Sequence, residues 1–415
     1  MIKYINKELS EKVFSENKES LTKAETFLKE EYKDKLIWTD IEKNIKIAES
    51  IKNLADKIKS AYDLVIVCGV GGSYLGSRAV IEAINGFQGT GLNKPSVIYM
   101  GNNLSVSYIS NVMDIVKASN PCLIVISKSG NTMETLIGFK IIKDYMEETY
   151  KDYKNRIYII TADNEGSLNR YRRENDIEFI SLDDDLVGRY SLLSPVGLLP
   201  MAICGIDIDA LLQGALDYKN HLERGSIDEK EALKYALSRK LFFQKGKNIE
   251  ILTVSNPNFE FLLKWYVQLF SESEGKSKEV ILPIYLIYSQ DLHSMGQFLQ
   301  EGPNNIFESH IDFQQPKKDY NINLEAIDSK RFPGLNKFSL ESLNKKIMKA
   351  ARKAHKQNGI DSSEIILKTP DEYHLGQLLY FFMYSASISS VLFGVNPYNQ
   401  PGVEKYKSIF REIIK

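Results

Sequence analysis

Short apolar runs separated by helix-like segments recur along most of the chain. In the first half, five runs have the length and composition of buried strands: DLVIVCGV (63–70), PSVIYMGN (95–102), CLIVISKS (122–129), RIYIITAD (156–163) and IEFISLDD (177–184). Helical patterns lie between most of them, and strands that alternate with helices predict a parallel sheet covered on both faces. NIEILTVSN (248–256) and VILPIYLIY (280–288) restart the same rhythm. The pattern therefore predicts two α/β units.

The remaining segments read as helices. Residues 1–60 alternate charges with spaced apolar residues, which is typical of amphipathic helices. LLSPVGLLPMAICGI (192–206) has the pattern of a buried helix, and residues 207–241 have that of a polar helical connector. Residues 375–402 carry no charge and are long enough to cross a membrane. Because Gln377 and several serines interrupt them, we interpret them as a helix buried in a large protein and expect no membrane association.

Composition excludes some partners. The 415 residues and a formal net charge of −1 fit a globular chain of about two domains with no overall field for nucleic acid or an anionic membrane. The three cysteines are an odd number at wide spacings, so we expect buried free thiols at Cys68 and Cys122 and a reducing compartment. The N-terminus has no apolar stretch of a secretion signal, and a cytoplasmic protein is expected.

The first strand runs into a glycine-rich turn in VIVCGVGGSYLG. Such a turn lets backbone amides approach an anion. Gly69 and Gly71 fit the first two positions of a dinucleotide fingerprint, but the third falls on Tyr74. Ser73 adds a hydroxyl donor, so a small phosphate ester fits better than a nicotinamide dinucleotide. A plain turn between strand and helix is the simpler alternative.

A second polar turn follows the strand in IVISKSGNTMET. Ser127, Ser129 and Thr132 offer hydroxyls, and Lys128 offers a cation. Helix capping alone would account for Thr132 and Glu134, but not for the residues before them. Two such turns after two strands of one sheet favour an anionic ligand.

Other candidate residues have ordinary alternatives. Arg189, in GRYS, either pairs with the preceding aspartates or faces a site where negative charge develops. The helix FLLKWYVQLFSESEGK ends in Glu272 and Glu274, although a helix C-terminus disfavours acids. His293 follows a strand on a short loop, whereas His355 lies in a charged helical context and is expected to be solvated.

Together these motifs resemble the glucose-6-phosphate isomerase family in its shorter bacterial form. GVGGS is similar to the family's glycine-rich segment, SKSGNTMET to its phosphate-binding loop, GRYSLLSPVG to its first signature and SSVLFGVNPYNQPGVEKYK to its second. WYVQLFSESEGK and DLHSMGQFLQEG stand in the family's order, and the resemblance covers residues 60–407. It implies two doubly wound, flavodoxin-like parallel-sheet domains of the sugar isomerase (SIS) type, α-β-α sandwiches with flanking helices.

The resemblance implies reversible isomerisation of glucose 6-phosphate and fructose 6-phosphate, in glycolysis and gluconeogenesis, through ring opening and a cis-enediol(ate). It assigns proton transfer between C1 and C2 to Glu272 and ring opening to His293 and Lys407. It assigns stabilisation of the enediolate charge to Arg189, and gives no role to Glu274, which is expected to be solvated or paired with Lys276. The residues implied to bind phosphate or substrate are Gly72, Ser73, Ser127, Lys128, Ser129, Thr132, Gln268 and Gln400.

The resemblance also implies a homodimer, with His293 of the partner subunit completing each site, and neither a cofactor nor a metal ion. The expected divisions are a helical segment (1–55), a first SIS-like domain (56–210), connector helices with a second SIS-like domain (211–393), and a C-terminal turn and helix (394–415). The chain departs from the family pattern at Asn131, Val187, Pro303 and Asn304, and Val187 could alter how Arg189 is presented.

Three other functions remain open from the sequence. A mannose 6-phosphate or bifunctional isomerase would carry the same phosphate-binding turns. A phosphosugar-binding regulatory module would need those turns but not Glu272, His293 and Lys407 together. A nicotinamide-dependent dehydrogenase is disfavoured by the incomplete glycine fingerprint.

Overall fold

The computed structural model describes residues 1–86, 95–322 and 333–414. The chain divides into two compact units. Unit 1 comprises Met1–Leu28, Asn220–Phe259 and Phe270–Lys415, and unit 2 comprises Lys29–Lys219 and Glu260–Leu269. Within the described residues, each unit is built around one five-stranded sheet.

The strands are β1 (Lys3–Asn6), β2 (Leu64–Cys68), β3 (Ser96–Met100), β4 (Pro121–Ile126), β5 (Ile157–Ala162), β6 (Phe179–Leu182), β7 (Ile249–Val254), β8 (Leu282–Ile287), β9 (Ile306–Phe313) and β10 (Asp361–Leu367). The α-helices of the described residues are α1 (Glu11–Glu31), α2 (Ile41–Ala61), α3 (Leu75–Asn85), α4 (Val106–Lys117), α5 (Met133–Thr149), α6 (Ser167–Asn175), α7 (Pro195–Ile203), α8 (Ile208–Arg224), α9 (Glu231–Gln244), α10 (Glu260–Glu274), α11 (Leu292–Glu301), α12 (Leu340–Gln357), α13 (Glu372–Leu392) and α14 (Pro401–Ile413).

The sheet of unit 2 is parallel throughout, in the order β3-β2-β4-β5-β6. Every residue of β2, β4 and β5 is buried, which explains why these strands read as continuous apolar runs. After β2 the chain adds β3 on one side of it, and then crosses back to add β4, β5 and β6 on the other side. The direction of winding therefore reverses between β2 and β4. In such sheets ligands bind beyond the carboxyl ends of the strands at this reversal point.

The sheet of unit 1 has the order β1-β10-β9-β7-β8. Strands β7 to β10 are parallel and also wind outward from a reversal between β7 and β9, while β1 pairs antiparallel with β10 at the edge. The interior strands carry buried charges, because Glu250 on β7 and Glu308 on β9 are both fully buried. Unit 1 is therefore held by polar networks as well as by apolar packing.

The predicted fold class, two doubly wound α/β units, is confirmed. The sequence predicted helices over residues 1–60, and the structure adds the short strand β1. Helix α13 is long and apolar enough to cross a membrane, but 89 % of its apolar window is buried inside the protein. Cys68, Cys122 and Cys204 are all buried and free, as expected for the first two.

Candidate active site

The first turn of unit 2 lies against the GRYS segment. Strand β2 ends at Cys68, and a short 3-10 turn over Gly71–Ser73 leads into α3. A Cβ added to Gly72 would lie 2.1 Å from the carbonyl oxygen of Gly188 and 3.0 Å from the amide nitrogen of Arg189. Only glycine permits this approach. The absence of a side chain at Gly72 therefore lets the backbone of Gly188 and Arg189 lie directly against the first turn.

Arg189 is 1 % exposed, and its carbonyl accepts a hydrogen bond from the indole of Trp265 at 3.3 Å. Val187, which departs from the family pattern, has φ −78° and ψ 129°. This is extended backbone that any residue adopts, so a glycine is not needed at this position. The departure leaves the backbone into Arg189 ordinary.

The aspartates before GRYS bind lysines. Asp183 pairs with Lys43 at 3.7 Å, and Asp185 pairs with Lys35. The carbonyl of Asp184 accepts a hydrogen bond from Nζ of Lys128 at 2.7 Å. The three aspartates therefore each contact a lysine, and one of these lysines, Lys128, belongs to the second turn.

The second turn follows β4, the neighbour of β2 in the sheet. The hydroxyls of Ser127 and Thr132 lie 3.2 Å apart, and Gly130 has φ +66°, a conformation that favours glycine. Thr132 occupies the N-cap of α5, but its side chain makes no capping hydrogen bond. The capping explanation for Thr132 is therefore wrong, and its hydroxyl does not cover the amides of the first turn of α5. Anions are favoured at a helix N-terminus of this kind.

Lys128 and Asn131 are two further residues of this turn with distinct environments. Burial lowers the pKa of Lys128, and the nearby charge of Lys35 lowers it further. A phosphate dianion beside Lys128 would reverse this effect, because an opposite charge favours the ammonium form. Asn131, another departure from the family pattern, accepts a hydrogen bond from the amide of Ser167 at 2.9 Å and so ties the turn to α6.

Gln268, on the part of α10 that belongs to unit 2, lies beside the first turn. A Cβ added to Gly71 would come within 2.8 Å of Nε2 of Gln268. The positive φ of Gly71, +56°, excludes most other residues at this point as well. Unit 2 thus brings together the first turn, GRYS and Gln268, with the second turn on the adjacent strand.

The last turn of α10, in unit 1, carries two carboxylates with different surroundings. Glu272 is half-buried, and its Oε2 accepts a hydrogen bond from the side-chain amide of Gln400. Glu274 is 0 % exposed and accepts a hydrogen bond from the guanidinium of Arg239. Burial raises the pKa of Glu274, although Arg239 opposes this. The expectation that Glu274 is solvated or paired with Lys276 is wrong, and Glu272 is the reachable acid.

Lys276 instead joins the end of α10 to the segment that carries Gln400. Its Nζ donates to the carbonyl of Ser273 at 2.6 Å and to that of Asn396 at 2.5 Å. A cation at a helix C-terminus offsets the partial negative charge there. The same contact fixes Asn396, four residues before Gln400, against the residue that follows Glu272.

Glu274 belongs to a buried network of ion pairs and hydrogen bonds around Arg239. Nε of Arg239, on α9, donates to Glu250 at 2.6 Å, and one Nη donates to Ser389 at 2.7 Å. The carboxylate of Glu250 also accepts from the hydroxyls of Tyr235 and Ser309, each at 2.6 Å. Our reading of the sequence missed this network. Its one signal was a glutamate inside the apolar strand IEILTV, because a buried charge requires partners.

The two residues implied in ring opening lie on exposed surfaces of unit 1. His293 is the second residue of α11, not part of a loop as the sequence suggested, and its ring is exposed. Lys407 lies on α14, where every described residue is exposed, and pairs with Glu404 at 2.8 Å. In the part of the chain that the structure describes, neither side chain forms a hydrogen bond or ion pair with Glu272.

Asn304 has a structural contact. Its side-chain Oδ1 accepts a hydrogen bond from Nζ of Lys247, and the same Nζ donates to the carbonyl of Asn304 at 3.1 Å and to that of Gly359 at 2.6 Å. The departure from the family pattern at this position therefore fixes a loop, while Pro303 is exposed.

Comparison with known proteins shows the family of the chain. A family model described as phosphoglucose isomerase matches residues 31–302. The chain is 38 % identical over 379 residues to glucose-6-phosphate isomerase of Clostridioides difficile (strain 630), which covers 89 % of this chain and 84 % of that protein.

Two solved structures have a similar fold. A hypothetical protein from Thermus thermophilus superimposes with a TM-score of 0.91 at 25 % identity, over the full length of both chains. A glucose-6-phosphate isomerase from Chlamydia trachomatis superimposes with a TM-score of 0.82 at 16 % identity, over 100 % of this chain and 88 % of that one, and shows the fold alone. With a matching family model and a relative of this identity over most of its length, the chain belongs to the phosphoglucose isomerase family.

Proposed function

We propose that this protein interconverts glucose 6-phosphate and fructose 6-phosphate, in glycolysis and gluconeogenesis. One proton moves between C1 and C2 of the open-chain sugar through a cis-enediol(ate), and Glu272 carries it. The observation that supports this most is the contrast at the end of α10. Glu272 is half-buried and held by Gln400, while Glu274 is sealed away in an ion pair. A general base must be aimed at the substrate and partly shielded from water, and Glu272 meets both demands.

The phosphate is held by the two turns at the reversal point of the unit 2 sheet. This role rests on a helix N-terminus that its own N-cap side chain leaves uncovered, on hydroxyl donors and on one lysine. The residues that we assign to it are Gly72, Ser73, Ser127, Lys128, Ser129 and Thr132.

Arg189 stabilises the negative charge that develops on the enediolate, and Gln268 and Gln400 contact the substrate. The burial of Arg189 supports its role, because a cation in a site of low dielectric acts strongly on a developing charge. The fixed approach of Gly72 to Gly188 and Arg189 supports a preorganised geometry.

His293 and Lys407 open the sugar ring by acid–base catalysis, and the protein acts as a homodimer in which His293 of the partner subunit completes each site. The exposure of the His293 ring supports this arrangement, because the ring is accessible to a neighbouring copy. We also place the protein in the cytoplasm, which its three buried free thiols support.

A coupled assay tests the function. Purified protein is given fructose 6-phosphate without added metal, and glucose 6-phosphate is detected by its oxidation. We expect rapid conversion, with much slower turnover of mannose 6-phosphate. A protein that binds fructose 6-phosphate but converts none would be a phosphosugar-binding module. Equal turnover of both aldose phosphates would make it a bifunctional isomerase.

A further inference from the structure

The end of α10 carries a structural problem. Its last turn is closed by a hydrogen bond from the amide of Gly275 to the carbonyl of Ser271 at 2.9 Å. The carbonyl end of a helix repels negative charge, yet Glu272 and Glu274 both lie there. Without compensation this turn would fray, and a frayed turn cannot hold a carboxylate in place.

Arg239 makes two contacts with the end of α10. Its guanidinium lies over the ring of Phe270 at 4.3 Å and donates to the carboxylate of Glu274. Phe270 and Glu274 are four residues apart and therefore share one face of α10. A single side chain thus binds two successive turns of the helix, directly before and after Glu272.

The other side of Arg239 is anchored in the sheet. Its Nε donates to Glu250 of β7 at 2.6 Å, and Glu250 is fixed in turn by hydroxyls from α9 and β9. The planar guanidinium can serve both carboxylates at once, whereas an ammonium group cannot keep this fork. The last turn of α10 is therefore connected to the sheet of unit 1 through one buried cation.

We propose that Arg239 and Glu274 are positioning residues for Glu272. Arg239 offsets the charge of the helix end and fixes its last turn, so that the Glu272 carboxylate stays aligned with two neighbouring carbons. This inference rests on the proposed function. Small displacements of a catalytic group are expensive, since about 1 Å can lower a rate about a hundredfold.

The test uses Arg239→Lys and Glu274→Gln in the full chain. Arg239→Lys keeps the charge but loses the fork, and Glu274→Gln keeps the shape but loses the ion pair. We expect kcat to fall about ten- to hundredfold in both, with KM for fructose 6-phosphate within about twofold of wild type. The KM is retained because the phosphate-binding turns belong to another part of the chain.

Glu25→Gln is the matched control. Glu25 accepts two hydrogen bonds from Lys230, each at 2.9 Å, in another buried ion pair of the same unit. This variant should lose stability comparably and keep the wild-type kcat. If Arg239→Lys and Glu274→Gln also keep the wild-type kcat, or lose no more than Glu25→Gln, the network is only structural and the inference is wrong.

Hydrogen exchange gives a readout that does not depend on activity. We expect the Gly275 amide to exchange at least about tenfold faster in Arg239→Lys than in Glu25→Gln. Equal protection would overturn the inference even if the wild type proved not to be an isomerase. If Arg239→Lys does not fold, Phe270→Leu removes the stacked ring while keeping an apolar side chain. The same kcat loss and faster exchange are expected of it, and unchanged values would contradict the inference.

The two proposals fail separately. A wild-type protein that converts no fructose 6-phosphate refutes the isomerase function. An active wild type whose Arg239 and Glu274 variants are normal refutes only the positioning role.

Discussion

At the scale of single residues, the environment of each charge decides its role. Glu308 is a third example beside Glu272 and Glu274. It is fully buried on β9, accepts a hydrogen bond from the hydroxyl of Tyr288, and lies 3.0 Å from Nδ1 of His355 and 3.4 Å from Nε2 of His310. Burial alone would raise the pKa of Glu308, but the contacts with His310 and His355 outweigh it and hold the pKa below its ordinary value.

This cluster predicts a pH dependence of stability. Because the folded state lowers the pKa of Glu308, the ionised carboxylate stabilises the fold above about pH 4.5, and this contribution is lost as the pH falls through the folded pKa. We expect Glu308→Gln to be about 3 kcal/mol less stable at pH 7 and to lose less stability than wild type on acidification. Urea unfolding at several pH values measures both effects.

The exposed Glu279 supplies the control, since Glu279→Gln should follow the wild-type curve. Wild type and Glu308→Gln curves that stay parallel as the pH falls below about 4.5 would contradict the assignment.

Single residues also show where sequence reasoning stops. Glu272 and Gln400 were predicted because each stands in a recognisable motif, and their hydrogen bond connects residues 128 positions apart. Arg239 stands in an ordinary helical segment, and nothing in the sequence pairs it with Glu250 or Glu274. His355 was expected to be solvated, but it is buried, and its Nδ1 lies 3.0 Å from the carboxylate of Glu308 on β9.

At the scale of elements, strands were predicted where both faces are buried in apolar surroundings. Strands β2, β4 and β5 are of this kind, and their bounds agree with the predicted runs within one to three residues. Strand β9 was not predicted because Glu308 and His310 interrupt its apolar pattern, and β10 was not because it begins with polar residues. The partners that make these residues acceptable in a sheet come from distant segments.

The close approach of the first turn to GRYS gives a second prediction. In Gly72→Ala the new Cβ would meet backbone atoms that cannot move aside, since the carbonyl oxygen of Gly188 would lie 2.1 Å away. We expect a loss of about 1–3 kcal/mol in the free energy of unfolding and a lower kcat, because Arg189 shifts with its backbone. Thermal unfolding and the coupled assay measure the two quantities.

Gly188→Ala is the matched control, because a Cβ at Gly188 meets nothing within 4 Å. It should change the free energy of unfolding by less than about 0.5 kcal/mol. If the two variants lose the same free energy of unfolding, the close approach of Gly72 to the backbone of Gly188 is not important for stability.

At the scale of the whole molecule, the proposed exchange of His293 between subunits can be tested by mixing inactive proteins. Glu272→Gln and His293→Ala should each be inactive alone. If the histidine is donated by the partner subunit, a mixed dimer contains one site with both natural residues. After unfolding and refolding an equal mixture, we expect about 25 % of wild-type activity. No activity in the mixture would contradict donation between subunits.

The two-unit organisation was accessible from the sequence because the strand-helix rhythm stops and restarts. The sequence did not predict the edge strand β1, which pairs with β10 from the other end of unit 1. The four residues of β1, KYIN, show no periodicity. Their partners on β10 lie near the other end of the chain, so the local sequence does not predict the pairing.

The central claim is that Glu272 moves the proton between C1 and C2, and one variant tests it most directly. Glu272→Gln keeps the size of the side chain and an oxygen that can accept the hydrogen bond from Gln400, but it cannot accept the proton. Conversion of fructose 6-phosphate and binding of the same sugar by calorimetry are measured on wild type and variant. We expect conversion to fall about 10²- to 10⁴-fold while the dissociation constant stays within about threefold. Conversion at the wild-type rate in Glu272→Gln would contradict the account.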